Sequence, residues 1–381
     1  MQFIDLAAQR ARIGDRLKAA IDRVVDEGKY ILGPQVGEFE RRLADYVGVK
    51  HAVACANGTD ALLLPLLASG VGPGDAVFVP SFTFAATAEV VALAKAKPVF
   101  VDVDPDSYNI DIESLEAAIA MVREQGTLTP KAIIPVDLFG LAADYGAIAA
   151  IAERERLMVI EDAAQAIGGI SAGRRCGAFG DVASTSFYPA KPLGCYGDGG
   201  AMFTNDDAFA ERLRSFAFHG KGETQYDNIH VGLNSRLDTL QAAILIEKLA
   251  ILEDEMIARQ KVAQRYSEGL RGVVKVPHIP SGSRSAWAQY AIETPERDAL
   301  KAHLQAEGIP SVIYYVKPLH QQIAYRNFPV ASGGLPVSEA LPERILCLPM
   351  HPYLTSEDQD RIISAIRNFI GRNSSKLAAA E

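Results

Sequence analysis

The sequence predicts an α/β protein whose mostly parallel sheet carries helices on both faces. Short apolar runs alternate with helical stretches through most of the first 240 of the 381 residues. Parallel strands need such crossovers, because the chain must return to the same end of the sheet before the next strand begins. Runs without alternating polar residues, such as AIIPV (132–136), are typical of strands buried on both faces.

The elements follow in order along the chain. Two helices are predicted first, over RLKAAIDRVVDEG (16–28) and VGEFERRLADYVG (36–48), each ending at a glycine that can cap it. Apolar runs then predict strands over HAVACA (51–56), AVFVP (76–80), PVFVDV (98–103), KAIIPVD (131–137) and LMVIED (157–162). Helices are predicted between them over TDALLLPLLASG (59–70), AATAEVVALAKA (85–96) and YGAIAAIAERER (145–156).

The last third of the chain has a different pattern. A helical stretch over 236–270 exceeds a typical globular helix, so it either bridges two domains or bends midway. A smaller α+β pattern follows it. We therefore predict a large α/β domain over 1–245, a small C-terminal α+β domain over 246–372, and a disordered tail or vector remnant over 373–381.

Composition excludes several classes of function. The formal net charge of −9 disfavours binding to nucleic acid through the phosphate backbone. Neither a signal-peptide core nor a run of apolar residues long enough to span a membrane is visible, so a cytoplasmic protein is expected. Four scattered cysteines without CxxC spacing fit free thiols in a reducing compartment, and the dispersed histidines predict no metal site.

The segment SFYPAKPLGCYGDGGA (186–201) places Lys191 between two prolines and ahead of a glycine cluster, where no regular helix can form. A lysine in such a loop either neutralises a nearby carboxylate or is held still because its amine takes part in a reaction. The other residues at the predicted sheet edge bear on this choice.

Further candidates follow the predicted strands at their carboxyl ends, where open α/β sheets bind ligands. They are the turn Asn57-Gly58-Thr59-Asp60, the aromatic pair Phe82 and Phe84, the acids Glu161 and Asp162, and Ser186. The turn starts a helix and suits an anion, which Ser186 could also contact, or both could simply cap locally. An aromatic ring there belongs to the core or stacks on a planar ligand. Two acids ending a buried strand are costly unless one of them meets a cation.

A restrained lysine, an anion cradle, an aromatic plate and a buried carboxylate together meet the requirements of pyridoxal phosphate. Lys191 would form an imine with the aldehyde, and Asp162 would keep the pyridine nitrogen protonated. A charge pair about 4 Å apart at an effective dielectric of about 20 is worth roughly 4 kcal/mol, or about three pKa units. A neutral side chain at position 162 could not hold the protonated ring as firmly.

The sequence resembles the DegT/DnrJ/EryC1/StrS family of nucleotide-sugar aminotransferases, which are fold type I pyridoxal-phosphate enzymes. The ordered motifs that carry the resemblance are FIDLAAQ (3–9), YILGPQVGEFE (30–40), ANGTDAL, PSFTFAAT, EDAAQA, SFYPAKPLGCYGDGGA, GLNSRLDTLQAA (232–243) and YYVKPLHQQIAY (314–325). The resemblance covers nearly the whole chain. The lysine at 191 argues against the sugar dehydratases among the relatives, in which histidine replaces it.

The resemblance implies a role for each matching position. Lys191 would be the lysine joined to the cofactor and, once released, the general base, while Asp162 would pair with the pyridine nitrogen. Gly58, Thr59 and Ser186 would hold the phosphate, Gln165 the ring hydroxyl, and Phe84 and Ala164 the two ring faces. Family members are dimers with shared sites, so Asn234 of the partner subunit would reach the phosphate and Arg236 of the partner subunit would face the sugar nucleotide. Tyr314, Tyr315 and His320 would approach the sugar, although many relatives have histidine where Tyr314 stands.

Within the family, KPLGCYGDGGA and NSRLDTLQAAI are most similar to enzymes that aminate C3 of UDP-2-acetamido-2-deoxy-3-keto-glucuronate (UDP-2-acetamido-2-deoxy-ribo-hexuluronate) with L-glutamate as donor. Their product feeds lipopolysaccharide and O-antigen sugars. Amination of a dTDP-3-keto-6-deoxyhexose stays open as the alternative, followed by a 4-keto sugar or a non-catalytic dimer of the same fold. A nicotinamide-dependent enzyme is disfavoured, because the nearest glycine-rich run, GVGPGD (70–75), precedes a strand rather than following one.

Overall fold

A seven-stranded sheet forms the centre of the computed structural model, which describes residues 1–224 and 226–378. Its strand order is β1-β9-β8-β5-β4-β2-β3, and two-stranded sheets pair β10 with β11 and β6 with β7. The strands are β1 (His51–Cys55), β2 (Asp75–Pro80), β3 (Lys97–Val101), β4 (Thr129–Ile133), β5 (Met158–Asp162), β6 (Ile170–Ser171), β7 (Arg174–Arg175), β8 (Val182–Ser186), β9 (Gly200–Thr204), β10 (Tyr290–Glu293) and β11 (Ile345–Leu348).

Helices connect these strands and cover the sheet. They are α1 (Leu6–Glu27), α2 (Pro34–Val47), α3 (Gly58–Ala68), α4 (Ala86–Leu93), α5 (Ile112–Gln125), α6 (Tyr145–Glu155), α7 (Asp207–Ala217), α8 (Thr239–Leu249), α9 (Leu252–Leu270), α10 (Arg297–Ala306), α11 (Pro336–Ala340) and α12 (Ser356–Ala378). Short 3₁₀ turns lie at Leu138–Gly140, Leu319–Gln321 and Leu341–Glu343. Helix α1 begins ten residues before the predicted start, where the side chain of Asp5 caps it by accepting from Ala8 N.

The sheet is mostly parallel, which confirms the predicted class. Strands β3, β2, β4, β5 and β8 run in one direction, and only β9 pairs antiparallel with its neighbours β8 and β1. Alternate residues of β1 pack into different apolar clusters. Val53 and Cys55 join α3 and α4, whereas Ala52 and Ala54 join α2 and α8. Helices therefore cover both faces.

One predicted strand is longer than the observed one. Strand β4 ends at Ile133, although the prediction continued to residue 137. Pro135 has no amide hydrogen to donate to a ladder, and the chain rejoins the sheet only through the single bridge between Val136 and Asp162. This short return segment sits directly beside the end of β5.

The long helical stretch over 236–270 is two helices. Helix α8 ends at Leu249, and α9 begins at Leu252 after the intervening Ala250 and Ile251. Helix α9 then packs with α10, α12 and the β10-β11 sheet around a separate apolar cluster. The domain limits at 245 and 372 remain predictions. Helix α12 continues to Ala378, within the segment predicted as a tail, and residues 379–381 lie outside the described residues.

Two global features relate to composition. In the part of the chain that the structure describes, no helix combines the length and the apolar character needed to cross a bilayer. All four cysteines are buried free thiols.

Candidate active site

Lys191 lies in the loop between β8 and β9, where the main chain is tightly folded. Its amide donates to the Tyr188 carbonyl at 2.8 Å. A Cβ at Gly194 would lie 2.5 Å from the Pro189 carbonyl oxygen, so only glycine fits there. Burial lowers the pKa of the Lys191 amine, and the nearby Asp162 carboxylate opposes that shift. Among the described residues, no hydrogen bond or ion pair engages the amine.

Asp162 is the last residue of β5 and stands beside Ser184 of β8. Its carboxylate accepts from Ala164 N at 3.2 Å and from the Thr87 hydroxyl at 3.1 Å. Burial raises the pKa of this carboxyl, whereas the Ala164 amide, the Lys191 charge and Thr87 each lower it. Asp162 is thus the acid that faces a cation, as expected for one member of the acid pair.

Glu161 faces away from Asp162, because successive side chains of a strand alternate between the two faces. Its oxygens accept from Gly177 N at 2.6 Å and Phe179 N at 2.7 Å. No cation balances it among the described residues, so it differs in function from its neighbour.

The start of α3 forms an anion cradle. Asn57 caps the helix by accepting from Asp60 N at 2.8 Å, and no acceptor within the described chain takes the amides of Gly58 and Thr59. A Cβ on Gly58 would lie 2.6 Å from the Ser186 Cβ, so the helix start and the end of β8 are in direct contact. The predicted phosphate residues are therefore brought together.

The side chain of Gln165 is held by hydrogen bonds at both its oxygen and its nitrogen. Its carbonyl oxygen accepts from Phe139 N at 2.7 Å, and its amide donates to the Tyr315 hydroxyl at 3.0 Å. Tyr315 in turn packs edge-on against buried Phe82 at 5.8 Å between ring centroids. Ala164, whose amide donates to the Asp162 carboxylate, directly precedes Gln165 in the sequence and is partly exposed.

The aromatic residues divide between core and surface. Phe82 is fully buried, whereas the side chains of Phe84 and Tyr188 are 60% and 56% exposed. Most of the surface of these two rings is therefore open to a ligand or to another chain. Half-buried Tyr314 lies close enough to Tyr188 for their hydroxyls to interact electrostatically.

His320 is hydrogen-bonded through both ring nitrogens. One ring nitrogen lies 2.7 Å from the Ser81 hydroxyl and the other 3.0 Å from the Glu339 carboxylate. Both nitrogens therefore already have partners within the chain. Its predicted contact with the sugar requires one of these bonds to be exchanged.

Asn234 and Arg236 flank Ser235, whose hydroxyl accepts from Ala56 N at 3.1 Å. The main chain of Asn234 bridges to Phe218, and the Arg236 guanidinium stacks over the Phe218 ring at 4.9 Å from its centroid. Within the described residues, no contact joins either residue to Lys191. Nearby Val231 is 94% exposed, which leaves this surface available to another chain.

Two residues of the site were not predicted from the sequence. Thr87 donates to Asp162, and Tyr188 stands exposed beside Lys191. Thr87 carries no signal in the sequence, because its contact is 75 positions away along the chain. The sequence does carry a signal for Tyr188, because an aromatic residue in a rigid loop three positions before the lysine is itself a candidate ligand contact.

The chain matches the DegT/DnrJ/EryC1/StrS aminotransferase family over residues 11–367. It belongs to that family. The UDP-2-acetamido-2-deoxy-3-oxo-D-glucuronate aminotransferase of Pseudomonas aeruginosa is 50% identical over 97% of this chain and 100% of that protein. A DegT/DnrJ/EryC1/StrS aminotransferase from Brucella abortus has 71% sequence identity to this chain. Its crystal structure superposes with a TM-score of 0.97, over 97% of this chain and 100% of that one. The structure of ntda from Bacillus subtilis with its bound cofactor PMP is 29% identical, with a TM-score of 0.86 over 97% of this chain and 83% of that one.

Membership of the DegT/DnrJ/EryC1/StrS family confirms the predicted fold, aminotransferase activity and dependence on pyridoxal phosphate. The residues present fit this cofactor on their own terms. The Lys191 amine has no partner within the described chain and a pKa lowered by burial, which favours the neutral, nucleophilic form. The Asp162 carboxylate lies opposite it, and the free amides at Gly58 and Thr59 suit a phosphate.

Proposed function

We propose that this chain transfers the amino group of L-glutamate to the 3-keto group of UDP-2-acetamido-2-deoxy-3-keto-glucuronate, giving UDP-2-acetamido-3-amino-2,3-dideoxy-glucuronate. The observation that carries the proposal is the buried pair of Lys191 and Asp162 at the carboxyl end of the sheet, in a chain 50% identical to a Pseudomonas aeruginosa aminotransferase of that name. Production of sugars for lipopolysaccharide and O-antigen, in the cytoplasm, follows as part of the same proposal.

Asp162 and Lys191 have different roles in the proposed reaction: Asp162 supplies a fixed negative charge, and Lys191 transfers a proton. Pyridoxal phosphate, when bound, supplies an aldehyde that joins amines and a ring that accepts electrons as a proton leaves the carbon next to nitrogen. Asp162 provides the negative charge that favours a protonated ring nitrogen, and its bonds from Ala164 N and Thr87 hold it in one orientation. Once its amine is free, Lys191 would accept the proton from the substrate carbon next to nitrogen and deliver it to the cofactor.

The surrounding residues bind and orient. Gly58, Thr59 and Ser186 hold the phosphate at the start of α3, where backbone amides and the helix dipole favour an anion. Gln165 reaches the ring hydroxyl through its second amide hydrogen, because Tyr315 takes only one. Phe84 and Ala164 border the two ring faces.

A second copy of the chain completes each site in this proposal. Asn234 and Arg236 of the partner subunit supply contacts to the phosphate and the sugar nucleotide. The exposed Ile31 and Val231 side chains, at 50% and 94%, support burial of this region in a homodimer. Arg236 carries a planar guanidinium suited to the pyrophosphate of a nucleotide sugar.

The sugar contacts Tyr314, Tyr315 and His320 decide the substrate. Tyr315 bonds Gln165, and Tyr314 lies near Tyr188 in the loop that carries Lys191. His320 would contact the sugar after its hydrogen bond to Glu339 is broken. A dTDP-3-keto-6-deoxyhexose is the alternative substrate, since it shares the 3-keto group but carries deoxythymidine, lacks the 2-acetamido group and has a methyl group in place of the carboxylate.

The decisive experiment supplies glutamate with a panel of 3-keto and 4-keto nucleotide sugars and identifies each product by mass and NMR. We expect amination at C3 of the UDP uronate, with 2-oxoglutarate as co-product. Preference for the dTDP-3-keto-6-deoxyhexose would contradict the proposed substrate, and amination at C4 would contradict the proposed site of amination on the sugar ring.

The covalent role of Lys191 has its own test. Borohydride treatment of the holoenzyme followed by digestion should leave the reduced cofactor on the peptide that contains Lys191. The Lys191→Ala variant should lose turnover by roughly 10²-fold or more, the range for removing a general acid–base group, while it still binds the aminated cofactor. Full transaminase activity in that variant would contradict the assignment.

A further inference from the structure

A cluster of buried titratable groups lies behind Asp162 and takes no part in the chemistry proposed above. It consists of Asp137, Glu161 and Cys176, whose ligand atoms all lie within 4.8 Å of one another. All three side chains are 0% exposed. Tyr145 is another titratable group that faces them, and among the described residues none of the largest electrostatic effects on these groups comes from a basic side chain.

The hydrogen bonds of the two acids leave one oxygen without a partner. Asp137 Oδ1 accepts from Ala143 N at 3.0 Å and from the Tyr145 hydroxyl at 2.9 Å. Glu161 uses both oxygens for the amides of Gly177 and Phe179. Among the described residues, Asp137 Oδ2 is buried with no donor directed at it.

Two adjacent buried carboxylates without a cation cannot both stay ionised at low cost. Burial raises the pKa of both groups, and the charge of Asp137 raises that of Glu161 further. A proton between them removes the repulsion. It also gives Asp137 Oδ2 a donor, because the protonated Glu161 carboxyl can donate to it.

The same segments hold the main chain of Asp162. Asp137 N donates to the Asp162 carbonyl at 3.0 Å, and Asp162 N donates to the Pro135 carbonyl at 2.9 Å. Glu161 precedes Asp162 in β5. The rings of Tyr145 and Phe179, each adjoining one of the acids, are stacked at 4.4 Å between centroids.

We propose that Asp137 and Glu161 share one proton, held chiefly by Glu161, and that the hydrogen bond from the Glu161 carboxyl to Asp137 Oδ2 holds the strand end on which Asp162 stands. Both acids are thus positioning residues. The positioning part rests on the proposed role of Asp162, whereas the shared proton does not.

A metal ion is the competing occupant of this cluster. The amide and hydroxyl hydrogens that already point at Glu161 and at Asp137 Oδ1 carry partial positive charge and would repel a cation at those oxygens. Only Asp137 Oδ2 and the Cys176 sulfur remain, which is too few ligands for a structural site. The geometry therefore favours a proton.

The first test measures the pH dependence of unfolding for the full-length protein and for Asp137→Asn. The asparagine amide can donate to an ionised Glu161, so the bond between the two side chains no longer needs a shared proton, while the asparagine oxygen still accepts from Ala143 and Tyr145. Between the ordinary carboxyl pKa near 4 and the raised value, the folded unmodified protein holds one more proton than the unfolded chain, so its stability falls as pH rises. Its unfolding constant should rise by up to about tenfold per pH unit more steeply than that of the variant. Equal slopes would overturn the shared proton.

Cys176→Ala is the matched control, and it should keep the slope of the unmodified protein. Stoichiometric metal in the purified protein that is lost in Cys176→Ala would also overturn the proposal. If Asp137→Asn does not fold, infrared spectroscopy of the unmodified holoenzyme at neutral pH decides. It should show the carbonyl absorption of a protonated carboxyl that shifts on isotopic labelling of glutamate, and the lack of such a band would overturn the proposal.

The positioning role is read from cofactor affinity. Glu161→Gln turns an amide toward the Gly177 or Phe179 N–H, so we expect pyridoxal phosphate to bind at least about tenfold more weakly. Asp137→Asn should stay within about threefold of the unmodified protein. A shared proton with unchanged affinity in Glu161→Gln would confirm the pair and refute its link to Asp162.

Discussion

At the scale of single residues, Lys191 and Asp162 set each other's charge. Burial disfavours the ammonium and the carboxylate alike, so it lowers the pKa of Lys191 and raises that of Asp162. Their mutual attraction opposes both shifts. Burial thus favours the neutral amine of Lys191, and the attraction between the two groups favours the carboxylate of Asp162.

Removing the charge at 162 should lower the pKa of Lys191 further, because the carboxylate is the group that raises it. We expect Asp162→Asn to shift the pH dependence of Lys191 labelling to lower pH in the cofactor-free protein. Competitive acetylation with mass spectrometry of the Lys191 peptide measures this shift.

Thr87→Val is the control for that experiment. It removes the 3.1 Å bond to Asp162 but keeps the negative charge, so the Lys191 profile should stay nearer to that of the unmodified protein. An unchanged or higher pKa of Lys191 in Asp162→Asn would contradict the electrostatic coupling.

At the scale of elements, the contact between α3 and β8 forms the phosphate cradle. The sequence marks the helix start through its Asn57 cap, but the cradle exists only because Ser186 ends β8 against Gly58. The loop that follows β8 carries Lys191. Spacing between these two elements therefore sets the distance between the phosphate and the amine.

Gly58→Ala should weaken pyridoxal phosphate binding by at least about tenfold, or ~1.4 kcal/mol. The new Cβ would lie 2.6 Å from Ser186 Cβ and force α3 away from the strand end. Gly37→Ala is the matched control, since a Cβ there meets nothing within 4 Å in the middle of α2. Equal affinity in both variants, measured by cofactor titration, would show that the cradle does not bind the phosphate.

At the scale of the whole molecule, no described contact joins Arg236 to Lys191, and Arg236 stacks on Phe218. The shared site proposed above accounts for this if Arg236 serves the partner subunit. Such sharing would make activity depend on assembly, and it can be tested by mixing inactive variants.

Lys191→Ala and Arg236→Ala should each be inactive alone and regain activity when their subunits are exchanged. In a mixed dimer, one of the two sites has both native residues, so an equal mixture should recover about a quarter of the original activity. The rate of product formation measures the recovery.

Lys191→Ala mixed with Asp162→Ala is the control, because both residues belong to the same side of one site and no mixed dimer restores them. Failure of the first mixture after proven exchange would place Arg236 outside the partner's site.

The sequence by itself predicted the alternation of strands and helices from β1 to β5, apart from α5, and the residues that follow those strands, but it did not predict β8 and β9. Apolar runs and helical spacing depend on neighbours in the chain, so β1, β2, β5 and the helices α3, α4 and α6 were predictable. Lys191 and Asp162 were identifiable because a buried acid and a rigid lysine are costly without a chemical purpose.

Only the tertiary structure decided which groups these residues meet. It separated Glu161, bound to the amides after β7, from Asp162, and it engaged His320 with Ser81 across 239 positions. It also brought Thr87 to Asp162 and Asp137 to Glu161. These contacts depend on how distant segments pack, and local spacing carries no information about that packing.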